Sequence, residues 1–218
     1  MNLTTVLGGA ACGLALGLAS ASASLVTTIS SGTLNTTVPD GSSVGITSTL
    51  NVSGLGNILS SGDNVSLTLN VSGGNNGDLV AYLIFGSHTV TLLNRPGVTG
   101  GNPLGYTDAG FNNVTLSDGN SVNVDNYGGG GIPSNISYNP AGGSTAFQSY
   151  NGMNSQGSWV LFIADLSGGD TSQSMLNSWS LTLDVVPEPI TWALIIFGAG
   201  SLLIVAGRWC RVRLRRTA

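Results

Sequence analysis

Lysine is absent from this 218-residue chain, glutamate and histidine occur once each (Glu188, His88), cysteine twice (Cys12, Cys210), and charged residues make up only 7%. Each shortage closes a class of chemistry. Nucleic acid and anionic lipid need basic patches, yet residues 24–186 hold nine Asp against the single Arg95, a net charge of −8. Zinc needs clustered His or Cys, which are missing. Paired-carboxylate catalysis would rest on Asp alone, because Glu188 has no second Glu to work with. A Ser-His-Asp triad would have to use His88, which lies in Ser87-His88-Thr89-Val90 on a predicted strand with no nucleophile-elbow motif nearby. His88 is expected to be an exposed strand residue, and the chain is not expected to be an enzyme. With Cys only at positions 12 and 210, the region between them can form no internal disulfide and must be held by its core.

What is present is concentrated at the two ends. Val6 to Ala19 is a short apolar run, and Ala21-Ser22-Ala23 is a small-residue cleavage site that would leave Ser24 as the mature start. Residues 1–23 therefore read as a signal peptide, although no Lys or Arg precedes Val6. Cys12 does not read as a lipidation site, since Gly9-Ala10-Ala11 lacks the aliphatic residue expected three positions before it. At the other end, Ile190 to Gly207 is an uncharged apolar run of 18 residues. As a helix it would reach about 27 Å, enough for a hydrocarbon core of about 30 Å. A transmembrane helix is expected within 189–207. Arg208, Arg211, Arg213, Arg215 and Arg216 follow it in the tail 208–218. By the positive-inside rule they place that end in the cytoplasm and everything before Pro187 outside.

Val186-Pro187-Glu188-Pro189, one membrane helix and a terminal Arg cluster, in that order, resemble a PEP-CTERM sorting signal over residues 187–218. The two prolines remove backbone donors and hold the segment extended just outside the bilayer, a form that a protease groove can accept. The resemblance implies an exosortase-type membrane protease as partner, with Pro187, Glu188 and Pro189 as the processing residues and Glu188 as the recognised carboxylate. It implies a Gram-negative producer of extracellular polysaccharide. The expected course is an inner-membrane anchored precursor that is cleaved and ends at the cell surface or in the extracellular matrix.

Between the ends, residues 24–38 read as a linker and residues 39–186 as one domain. Val65-Ser66-Leu67-Thr68-Leu69-Asn70-Val71 alternates without a fault, and Val44, Ile46, Leu50 and Val52 do the same with Ser48 in one inward slot. Further strands are predicted at Leu79–Phe85, His88–Leu93, Val114–Leu116, Val122–Val124, Trp159–Ala164 and Trp179–Val185, separated by Gly-, Asn-, Asp- and Ser-rich turns. No stretch carries a helical period. The fold class is all-β, a jelly-roll-like antiparallel β-sandwich. Leu50-Asn51-Val52-Ser53-Gly54 and Leu69-Asn70-Val71-Ser72-Gly73 read as similar strand ends rather than a repeat.

The region from about Pro39 to Leu183 resembles the P domain that accompanies subtilisin-like catalytic domains in proprotein convertases and bacterial secreted proteins. The residues that carry this are Gly77-Asp78-Leu79, the Gly86…Val90-Thr91-Leu92…Arg95…Gly97 hairpin, Tyr138-Asn139-Pro140, Asn151-Gly152, Gly157-Ser158-Trp159-Val160-Leu161…Asp165 and Leu176-Asn177-Ser178-Trp179-Ser180-Leu181. Ile84-Phe85-Gly86 departs from the family's Ser-Pro-x-Gly turn, and Ser174 stands where Gly is frequent. The resemblance implies a jelly-roll sandwich. Trp159 and Trp179 are read as core anchors, each burying on the order of 200 Å². The chain has no segment that could house the protease itself. The expected function is that of a non-catalytic interaction module binding glycan or protein in the extracellular polysaccharide layer; the alternative is an accessory domain for a separately encoded secreted subtilisin-like protease.

No resident cofactor is expected. Calcium is considered because Gly73 to Asp78, Asp118-Gly119-Asn120 and Asp165 to Asp170 offer the oxygen ligands that hard cations prefer. Asp78, Asp118, Asp165 and Asp170 are the candidates. No loop alone completes a coordination pattern, so Asp78 and Asp165 are read first as turn caps and diffuse counter-ion screening is the expected behaviour.

Overall fold

The computed structural model describes residues 24–187. The predicted signal peptide, Glu188, Pro189, the predicted membrane span and the Arg cluster lie outside the described residues. Among the described residues no helix is long and apolar enough to cross a membrane.

Eleven strands are formed among them: β1 (Leu25–Ser30), β2 (Thr36–Thr37), β3 (Ser42–Val52), β4 (Asn57–Ile58), β5 (Val65–Ser72), β6 (Leu79–Phe85), β7 (His88–Asn94), β8 (Gly110–Ser117), β9 (Ser137–Tyr138), β10 (Gly157–Asp165) and β11 (Met175–Val186). They make two sheets. The larger runs β1-β11-β5-β8-β9, with β2 and β4 also pairing to β11, and the smaller runs β3-β10-β6-β7. Every named pairing is antiparallel except β8 with β9. The architecture is a β-sandwich, as the strand pattern predicts.

The period-two signal places the core. In β5, Val65, Leu67, Leu69 and Val71 are buried while Ser66, Thr68 and Asn70 are half-buried on the other face. β10 and β11 lie within the two sheets and carry the two indoles, both essentially excluded from solvent. Trp159 stacks on Phe85 at a centroid distance of 4.0 Å and 5° between planes, and meets Tyr150 edge-on at 5.0 Å. Its Nε1–H donates to the Ser155 carbonyl at 3.0 Å. Trp179 Nε1–H donates to Ser48 Oγ at 2.9 Å. That bond explains the hydroxyl among the apolar inward positions of β3: a buried indole N–H needs an acceptor.

Three expectations are corrected. Val122–Val124 is not a strand; Val124–Asn126 forms a 3₁₀ turn whose first N–H groups are capped by the Asn123 side chain, which accepts from Asp125 N at 2.8 Å. Residues 24–38 are more than a linker, because β1 pairs with β11 from Leu25↔Val185 to Ser30↔Ser180 and Val38 is fully buried. Val44 does not point inward. The β3–β10 register jumps between Ile46↔Ile163 and Ser42↔Asp165, so three residues of β3 face one of β10, and Val44 is 81% exposed. Gly45 makes this bulge feasible with φ of 56°; a Cβ there would sit 2.3 Å from the Ile163 carbonyl oxygen.

Candidate functional site

Two features of the surface combine several functional side chains. The first is acidic. Asp40, Asp165 and Asp170 bring one carboxylate oxygen each within 4.8 Å of one another. They come from different parts of the chain: Asp40 from the turn before β3, Asp165 from the end of β10, and Asp170 from the loop leading to β11. Asp78 closes the 3₁₀ turn Asn76–Asp78 just before β6. That turn is pinned by buried Asn76, which donates to the Gly110 carbonyl and accepts from Gly110 N, both at 2.9 Å.

The carboxylates are held on one side by the protein. Ser174 Oγ donates to Asp165 Oδ2 at 2.8 Å, Gly169 N to Asp40 Oδ2 at 3.0 Å, and Asn75 Nδ2 to Asp78 Oδ2 at 3.4 Å. Asn75 holds Asp170 through its backbone N–H on Oδ2 at 3.0 Å and its side-chain amide on Oδ1. The opposite oxygens, Oδ1 of Asp40, Asp78 and Asp165, are buried with no hydrogen-bond donor. The nearest cation is Arg95, with Nη2 3.6 Å from Asp78 Oδ1. Burial, reinforced by the charges of Asp170 and Asp78, pushes the Asp165 carboxyl above its ordinary value. Burial and the charges of Asp78 and Asp40 do the same to Asp170.

Of the sequence candidates, the structure therefore brings Asp165 and Asp170 together with Asp40, sets Asp78 beside them against Arg95, and leaves Asp118 out. Asp118 accepts from Phe147 N at 3.1 Å and Gln148 N at 3.0 Å, capping the 3₁₀ turn Ala146–Tyr150. Asp40, which joins the cluster, carries no local signal in the sequence beyond its place in a Pro-Asp-Gly turn.

The second feature is a groove of about 630 Å³ on the outer face of the larger sheet, where the amides of Asn70, Asn112 and Asn177 stand among an apolar lining that includes Phe111, Ala109 and exposed Ile132. Two bulges shape it. The β5 registers with β8 and β11 slip beside Asn70 and at Asn177. Asn113, Asn135 and Asn35 take left-handed backbones around it, a conformation in which Asn is enriched. Their amides are tied in pairs: Asn113 Nδ2 to Asn135 Oδ1 at 2.8 Å and Asn177 Nδ2 to Asn35 Oδ1 at 3.2 Å. Asn70 donates to Ser178 Oγ at 3.2 Å and Asn112 to Ser134 Oγ at 2.9 Å. A primary amide has two donors and two acceptor lone pairs, so these bonds leave further sites for a ligand.

His88 is exposed at the start of β7, its ring 6.3 Å from that of Tyr150. Gly41-Ser42-Ser43-Val44-Gly45, far from His88 in sequence, has nucleophile-elbow spacing, but its Ser43 lies in the bulge of β3 and no helix follows it. Pro187 directly follows β11, whose last residue Val186 pairs with Asn57.

No family model and no curated protein matches the chain. Among solved structures, the crystal structure of the Aeromonas sobria serine protease (ASP) and chaperone (ORF2) complex is similar at a TM-score of 0.45 and 14% identity. The similarity covers 76% of this chain and 27% of the matched chain.

Proposed function

We propose that this protein is a non-catalytic, exported interaction module that binds neutral polysaccharide through the amide-lined groove of its larger sheet. The groove carries the reading. Sugar hydroxyls are matched by side chains that both donate and accept, and Asn and Ser do this without charge. A net charge of −8 over residues 24–186 repels acidic polymers and leaves neutral ones as the natural ligand class.

The reading includes the export and processing route. Its support is the apolar amino-terminal run with its Ala-Ser-Ala site, Pro187-Glu188-Pro189 before the apolar run, and the Arg cluster after it. Cleavage close to Pro187–Pro189 would spare the sandwich, since β11 ends at Val186. Mass spectrometry of surface-released protein tests the route: the mature form should begin at Ser24 and lack residues 190–207, and Glu188→Ala should keep the precursor in the membrane. A released species retaining residues 190–207 would overturn it.

A second reading rests on the resemblance to P domains, notably the two strands carrying Trp159 and Trp179: the sandwich stabilises a separately encoded secreted subtilisin-like protease. Co-purification with such a protease, together with absence of polysaccharide binding, would favour it.

A further inference from the structure

We infer that Asp40, Asp165 and Asp170 form a calcium site joining the turn before β3, the end of β10 and the β10–β11 loop. Separate loops supply these ligands, so the site is independent of the groove and of its polysaccharide reading.

Four observations converge. Calcium takes oxygen ligands at about 2.3–2.6 Å, so ligands on opposite sides of the ion lie about 4.6–5.2 Å apart. The oxygens of Asp40, Asp165 and Asp170 all fall within 4.8 Å of one another, which fits a shared ion. Asp165 is fully buried, and its Oδ1 has no donor. A buried carboxylate oxygen without a partner costs free energy unless a cation or proton meets it. Oδ1 of Asp40 is in the same condition, while the Oδ2 atoms of Asp40 and Asp165 are oriented by Gly169 and Ser174. That division is the arrangement by which outer partners aim ligands at a metal.

Charge points the same way. Arg95 lies 3.6 Å from Asp78, and no basic side chain among the described residues pairs with Asp40, Asp165 or Asp170. Repulsion among Asp165, Asp170, Asp78 and Asp40 is left for another cation to relieve. The donor set is all oxygen, which favours calcium or magnesium over zinc or copper. Magnesium demands near-octahedral geometry at about 2.0–2.1 Å and releases water reluctantly, so a multi-carboxylate cradle of this spread selects calcium.

The backbone is built around the cluster. Gly74 has φ of 64°, and a Cβ there would sit 1.9 Å from Ser174 Oγ and 3.3 Å from Asp165 Oδ2. Only glycine lets the β5–β6 connection approach so closely.

The test is calcium titration of the purified full-length chain after EGTA treatment, by isothermal calorimetry and thermal denaturation. Saturable one-to-one binding with Kd of about 10⁻⁵–10⁻³ M is expected. At a hundredfold excess over Kd the melting temperature should rise by roughly 5–10 °C. Sodium chloride at equal ionic strength should not reproduce the shift, and magnesium should bind at least tenfold more weakly. Asp170→Ala, at a half-buried loop position, should weaken calcium binding tenfold or more in a chain that still folds, with only a small fall of the melting temperature in EGTA from loss of its bonds to Asn75. Asp165→Asn should abolish the calcium-dependent shift while keeping the Ser174 bond. A shift that sodium reproduces, absence of saturable binding, or unchanged calcium affinity in folded Asp170→Ala would each overturn the site.

Discussion

Trp159 and Trp179 bind the two sheets together at the scale of single residues. Each is essentially fully buried and each indole N–H has an acceptor, the Ser155 carbonyl or Ser48 Oγ. Truncation of either to Ala is expected to cost about 3–5 kcal/mol, out of a typical total of about 5–15 kcal/mol. Denaturant unfolding of the variants checks this; a loss below about 1 kcal/mol would contradict the packing. Trp179→Phe should cost less, because it removes the bond to Ser48 while retaining most of the apolar contact. Asp118 supplies a second residue-level test. Burial raises its carboxyl above the usual value, with a smaller contribution from Asp63, although the Phe147 and Gln148 N–H groups pull it down. A raised native value means that the folded state binds the proton more tightly than the unfolded state. The contribution of Asp118 to stability is therefore greatest in acid, below the ordinary carboxyl range, and declines as pH rises through the raised value. Asp118→Asn should flatten that decline, as read from melting temperature against pH. Both tryptophans were legible in the sequence because each sits in alternation with aliphatic residues. Asp40 was not, because its role depends on contact with Asp165 and Asp170, more than a hundred residues along the chain.

Strands with an unbroken alternation were readable from sequence, and β5 shows why: one face is apolar over its whole length and no glycine interrupts it. Strands that owe their existence to pairing were not. β1 is largely exposed, with Leu25 at 44% and Val26 at 64%, and it forms because β11 offers it an edge over six residues. Deleting residues 25–30 should uncover that edge, lowering the melting temperature and promoting self-association, which calorimetry and light scattering will show. A monomer of unchanged stability would count against β1 as a structural strand. The bulge at Gly45 escaped the period-two reading for the same reason, since the extra residues are defined only against β10. Gly45→Ala should destabilise the protein by about 1–3 kcal/mol, because alanine would have to hold a left-handed backbone against the Ile163 carbonyl.

For the whole molecule, neither composition nor periodicity located the groove. The outward faces of the strands carry Ser, Thr and Asn where most sandwiches place charge, and the folded chain collects three of those asparagines, Asn70, Asn112 and Asn177, over Phe111. What could not be read was which asparagines meet, because the groove depends on two register slips and on left-handed turns at Asn35, Asn113 and Asn135. The acidic cluster lies on other loops, so calcium binding and polysaccharide binding should respond to different substitutions. Polysaccharide recognition by the groove is open to affinity electrophoresis of the full-length chain through gels containing neutral or acidic polysaccharides. A neutral polymer should retard the chain and an acidic one little or not at all, and Asn112→Ala/Asn177→Ala should abolish the retardation with the melting temperature unchanged. Equal mobility in every gel, or retardation that survives the double substitution, would contradict it.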